Sequence, residues 1–247
     1  MDAPPPDRVL DAFGADDVPR PLAGGRGLSW RAGSIVLKPL DWSPQEHAWH
    51  ADVLARIEED GFRVARPDPR IVDGWTAATY VEGTHEPGRW RDIIAAGERF
   101  HASLAALPRP DAIIDSRTNP WSIGDRVAFG EVAYPALADV LAVLGPVTEP
   151  SQVVHGDLTG NVLFHHSLPP AIIDFAPYWR PTEYASAIVV ADALNWEGAP
   201  DELAEAVDRR YLLRALVFRG VTTLAFGGGE PVPEIELARR IARCASL

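Results

Sequence analysis

The sequence predicts an α+β protein in two lobes, a small β-rich lobe over residues 1–83 and a larger, mainly helical lobe over 84–247. In the first third, short apolar and β-branched runs alternate with turn signals at Gly24-Gly25, Gly27, Gly33 and Asp73-Gly74. Beyond about residue 84, apolar residues recur at helical spacing. The 247 residues, 47% of them hydrophobic, suffice for one large domain or two modest lobes sharing a cleft.

Ser34 to Lys38 reads as a strand, apolar and β-branched, between a glycine turn and Pro39. Ser43-Pro44-Gln45-Glu46 then has the form of a helix start, with Ser43 as N-cap, Pro44 at the first helical position and Glu46 completing a capping box. That helix is expected to run to about Asp60 and end at Gly61. Ile71-Val72 and Trp75 to Val81 flank Asp73-Gly74, a hairpin signal, and lead to a crossing between lobes at Glu82-Gly83. Ile93, Ile94, Gly97, Phe100, Leu104 and Leu107 form one helical face. A proline-containing loop from Leu107 to Pro120 and helical segments from Trp121 to about Leu144 come next. Val153-Val154, Asn161 to Phe164 and Ala171 to Ile173 read as three brief strands. From about Pro181, three helices are expected, broken near Gly198 and Gly227.

A net charge of −12 argues against nucleic-acid binding, which calls for a basic surface, and is compatible with a cationic small-molecule substrate. Met1 to Asp7 lacks the basic flank and apolar stretch of a secretory signal, and no apolar run approaches a membrane span, so no membrane association and a cytoplasmic location are expected. The single cysteine, Cys244, can form no intrachain disulfide.

The chemistry concentrates in His155-Gly156-Asp157-Leu158-Thr159-Gly160-Asn161 and in Ile172-Ile173-Asp174-Phe175. Asp157 follows one short strand, and Asp174 ends another that a hairpin would return to the same place. Phosphoryl transfer uses such a pair, one carboxylate orienting the acceptor hydroxyl and the other holding magnesium against nucleotide phosphates. These two segments resemble the catalytic loop and metal-binding motif of the aminoglycoside-phosphotransferase and kinase-like family of small-molecule kinases. The resemblance implies a bilobal, protein-kinase-like fold, ATP or GTP as phosphate donor, Mg2+ as cofactor and a small-molecule hydroxyl as acceptor. It also implies that Asp157 is the catalytic base or hydroxyl-orienting residue, Asn161 and Asp174 are metal ligands, and His155 is a structural support.

The resemblance extends to Lys38, the only lysine in the chain, which takes the place of the kinase lysine that pairs with nucleotide phosphates. Glu46 stands where the family supplies the carboxylate that orients this lysine, although its capping box gives it a second role. Gly24, Gly25 and Gly27 resemble a phosphate-covering loop without the full spacing of a glycine-rich motif, and no Walker-type Gly-Lys-Ser/Thr follows. The backbone from about Ala78 through Tyr80 to Val81 is implied to lie beside the purine.

Two departures bear on activity. Three residues separate Asp157 from Asn161 where the kinase signature has four. Ala176 follows Asp174-Phe175, and no protein-kinase Ala-Pro-Glu comes after it, which favours small-molecule over protein kinases. The alternative is a catalytically weak, nucleotide-binding regulatory module. Tyr178, Trp179, Tyr184 and Trp196 either line an acceptor pocket or pack the C-terminal helices. Arg180 is either a phosphate ligand or a surface charge. Asp192, Glu197, Asp201, Glu202 and Glu205 either attract an amine or form a solvated acidic face. His101 reads as a helix-packing residue.

Overall fold

The computed structural model describes residues 3–22, 27–227 and 232–243; Gly24, Gly25 and Cys244 lie outside them. The chain divides into two compact units, Met1–His85 with Leu163–Phe175, and Glu86–Val162 with Ala176–Leu247.

The first unit opens with helix α1 (Asp7–Phe13), strands β1 (Arg20–Pro21), β2 (Trp30–Ala32) and β3 (Ile35–Pro39), helix α2 (Pro44–Arg56), and strands β4 (Arg63–Val64) and β5 (Trp75–Thr79). One antiparallel sheet is ordered β1-β2-β3-β5. Val9, Ala32, Leu37 and Ala77 close a small core on it. The turn at Asp73-Gly74 forms, with both residues at positive φ (49° and 77°), but a single bridge, Val72 to Trp75, joins its arms. The main partner of β5 is β3, with Lys38 opposite Thr76. Helix α2 starts on Ser43 as expected, the Glu46 amide donating to Ser43 Oγ at 3.1 Å. It stops at Arg56, short of the expected Asp60, because Ile57 turns extended to bury its side chain while Arg66 gathers the carbonyls of Leu54 and Ile57. Helix α1 is a second helix where the sequence suggested one.

The second unit carries α3 (Trp90–Leu104), α4 (Asp111–Ile114), α5 (Pro120–Ala128), a 3-10 turn at Pro135–Leu137 and α6 (Ala138–Leu141). Strands β6 (Gln152–His155), β7 (Val162–Leu163), β8 (Ala171–Ile172) and β9 (Pro177–Arg180) follow. Helix α7 (Thr182–Trp196), a 3-10 segment at Asp201–Ala206, α8 (Arg209–Ala225) and α9 (Pro233–Arg243) complete the chain. Residues 163–175 belong to the first unit because β8 pairs in parallel with β4. The stretch from Leu107 to Pro120, expected as loop, contains the short helix α4.

Helices α7 and α8 are buried nearly all round in the core of the second unit. Close approach of α5 to α8 depends on Gly124, where a Cβ would stand 2.6 Å from the Phe218 carbonyl oxygen. Among the described residues no helix is long and apolar enough to cross a membrane.

Candidate functional site

In the first unit the strand pleat decides where Lys38 goes. Its neighbour Leu37 is buried in the small core, so Lys38 leaves by the opposite face, and its Nζ donates to Asp174 Oδ1. Asp174 follows β8 and has φ 47°, a left-handed conformation that non-glycine residues adopt at a cost. Phe175 anchors it, with ring centroids 6.1 Å from Trp49 and 5.5 Å from His50, both on α2. Glu46, one turn before His50, is buried with its Oε1 3.9 Å from His50 Nε2. Gly27 has φ 70°, open to glycine at no steric cost. Ala78 is opposite Val36 in the sheet. The Tyr80 amide donates to Ser34 O at 2.8 Å, so its hydrogen bond closes the sheet.

In the second unit the segment from His155 to Asn161 is held at every residue but its tip. His155 is fully buried and donates its amide to His101 Nε2 at 3.0 Å. The Asp157 amide in turn donates to His155 Nδ1 at 3.1 Å. These contacts make both imidazoles acceptors, which requires the neutral rings, and burial followed by the nearby His155 holds His101 down to about 3. Gly156 donates to Ala176 O at 2.9 Å and lies flat against the Tyr178 ring, where a Cβ would come within 2.3 Å of Cδ2. Leu158 fills the space left by Gly97 on α3.

The short loop closes as a turn, with the Asn161 amide on Leu158 O at 2.9 Å and Gly160 at φ 78°. Asn161 Nδ2 donates to the Asp157 carbonyl at 2.7 Å and to its Oδ2 at 3.2 Å. With Nδ2 so engaged, the neutral oxygen of the Asn161 amide is Oδ1.

Arg219 of α8 donates through Nη2 to Asp157 Oδ1 at 2.7 Å, and grips Asp192 of α7 through Nε at 2.8 Å and Nη2 at 2.7 Å. The Asp157 side chain is 46% exposed, whereas those of Arg219 and Asp192 are 6% and 1% exposed. Burial works against the Arg219 charge, but Asp192 and Asp157 outweigh it and hold the guanidinium above its ordinary range. Burial pushes the Asp192 carboxyl up, against the pull of Arg219. The Arg219 guanidinium lies 5.6 Å from the ring of Trp196, which is exposed.

Sequence reasoning missed this trio. The signal was present: one aspartate inside Ala187 to Leu194 and two arginines, Arg214 and Arg219, inside Leu212 to Val221 interrupt helices that are otherwise apolar on all faces, and a charge there needs a buried partner. Asp192 therefore leaves the proposed acidic face; Asp201, Glu202 and Glu205 stay exposed. Arg180 is not a free surface charge, being mostly buried and paired with Asp125 at 2.6 Å and Glu131 at 2.8 Å. Tyr178 and Tyr184 pack the interior.

No protein-family model and no curated protein matches this sequence. Its structure does have relatives. A thermostable mutant of aminoglycoside phosphotransferase APH(4)-Ia superposes with a TM-score of 0.65 at 13% identity, covering 97% of this chain and 99% of that one. The chain has the aminoglycoside-phosphotransferase fold. A ternary complex of that enzyme type with ADP and hygromycin B gives a TM-score of 0.62 at 12% identity, over 96% of each chain. The same fold in Plasmodium vivax ethanolamine kinase matches with a TM-score of 0.62 at 10% identity, over 97% of this chain and 86% of that one.

Proposed function

We propose that this chain transfers the terminal phosphoryl group of ATP or GTP to a hydroxyl of a small molecule. The observation that carries the reading is the exposed carboxylate of Asp157, held between Arg219 and Asn161 on the loop after β6. Two of its solved structural neighbours bear ADP with hygromycin B or with spectinomycin, which supports a nucleotide donor and a hydroxylated acceptor.

In this reading Asp157 accepts a hydrogen bond from the acceptor hydroxyl, orients its oxygen towards the γ-phosphorus and takes up its proton as the new O–P bond forms and the bond from that phosphorus to the β,γ-bridging oxygen breaks, releasing ADP or GDP. Lys38 pairs with the donor phosphates, exchanging part of its contact with Asp174. Asp174 offers a carboxylate and Asn161 a neutral amide oxygen, each by itself a hard oxygen donor of the kind magnesium takes beside nucleotide phosphates. Bound Mg2+ would supply charge neutralisation on the β- and γ-phosphates. The net charge of −12 favours a cationic acceptor over an anionic one.

The test is purified protein with Mg2+, labelled ATP or GTP, and a panel of hygromycin B, spectinomycin, streptomycin, ethanolamine and choline together with unrelated hydroxylated metabolites. Acceptor-dependent phosphate transfer that Asp157→Asn abolishes is expected. Nucleotide binding without transfer to any member would favour the regulatory-module reading, for which the one-residue-short loop is the motivating feature.

A further inference from the structure

We propose that Arg219 is the positioning residue for Asp157, and that Asp192 exists to hold Arg219 in place. The inference rests on Asp157 as the hydroxyl-orienting group. Asp157 is a half-exposed side chain on a loop, and apart from Arg219 its carboxylate has only the longer, 3.2 Å bond from Asn161 to hold its rotamer. Arg219 fixes that rotamer on the buried side. Its planar fork reaches both carboxylates at once, with three contacts between 2.7 and 2.8 Å. Asp192, in the middle of the apolar helix α7, has Arg219 as its ion-pair partner and would otherwise be a buried charge of high cost.

The geometry also divides the Asp157 carboxylate. Oδ1 accepts the short bond from Arg219, while Oδ2 receives the longer, 3.2 Å bond from Asn161 and keeps capacity for another donor. The acceptor hydroxyl therefore meets Oδ2. A lysine at 219 would keep the charge but lose the fork that fixes this orientation.

Arg219→Gln alone leaves Asp192 buried and unpaired, so the decisive variant is Arg219→Gln with Asp192→Asn, which removes both charges together. With Mg2+, ATP and whichever panel acceptor is turned over, the double variant is expected to keep its nucleotide KM within about twofold and lose about 10²-fold in kcat. Arg219→Lys, which keeps the charge without the fork, is expected to give a kcat between those of the double variant and the parent. A kcat within about threefold of the parent, or an equal fall in kcat and nucleotide affinity, would overturn the proposal. Should the parent transfer phosphate to no acceptor, the kinase reading fails separately, and crystals of the double variant decide. Asp157 spread over several rotamers supports a positioning role for Arg219, and Asp157 retained in the parent rotamer refutes it.

Discussion

The amide of His155 donates to Nε2 of His101 at 3.0 Å, tying the segment from His155 to Asn161 to the last turn of α3 through a ring nitrogen that carries no proton. Burial, then the neighbouring His155, lowers His101 from its ordinary 6.5 to about 3. The unfolded chain therefore binds a proton between those values that the folded chain refuses. Stability from this site is complete above pH 6.5 and falls as pH drops towards 3. The loss at pH 5 is expected to be about 2 kcal/mol, read as the difference in urea unfolding between pH 7 and pH 5. His101→Gln, which does not titrate, should flatten that difference.

Gly156 has no room for a side chain against Tyr178. Gly156→Ala must displace a buried ring or the loop bearing Asp157, at an expected cost of about 1–3 kcal/mol in unfolding free energy. Phosphate transfer should fall more than nucleotide binding, because the displaced residue is next to Asp157. Denaturation curves and steady-state kinetics on the same preparation separate the two effects.

Lys38 and Asp174 are paired but partly exposed, so the pair contributes little to folding. Lys38→Met is expected to change stability by less than about 1 kcal/mol. On the proposed role of Lys38 in pairing with donor phosphates, turnover should fall about 10²-fold or more. A melt and a labelled-nucleotide assay check this, and unchanged turnover would remove Lys38 from the site.

Asp125 is buried, with Arg180 folded over it. Burial pushes its carboxyl up against the pull of the guanidinium. Arg180→Ala should cost about 3–5 kcal/mol by leaving that carboxyl unpaired. Arg180→Ala with Asp125→Ala should cost less than the single change, a reversal that an urea double-mutant cycle would show.

Much of this architecture was legible in the order of residues. The β3 strand ending at Pro39, the Ser43 cap of α2 and the α3 face follow from periodicity and capping residues, and the helices after Pro181 from the breaks near Gly198 and Gly227, signals that act within a turn or two of chain. The short strand Pro177–Arg180 was not legible, because its Pro-Tyr-Trp-Arg run has no alternation and it becomes a strand by pairing with β6.

The same distinction runs through the site. His155, Asp157, Asn161 and Asp174 announce themselves as residue types at short spacing, and Lys38 by being the only lysine. Their support does not: His101 is 54 positions from His155, and Arg219 is 62 from Asp157 and 27 from Asp192. Local sequence can specify turns, caps and a row of candidate ligands, since these depend on neighbours along the chain. Which buried charge answers which is settled by packing, because only when α7 and α8 come together and exclude water does an isolated aspartate need that one arginine.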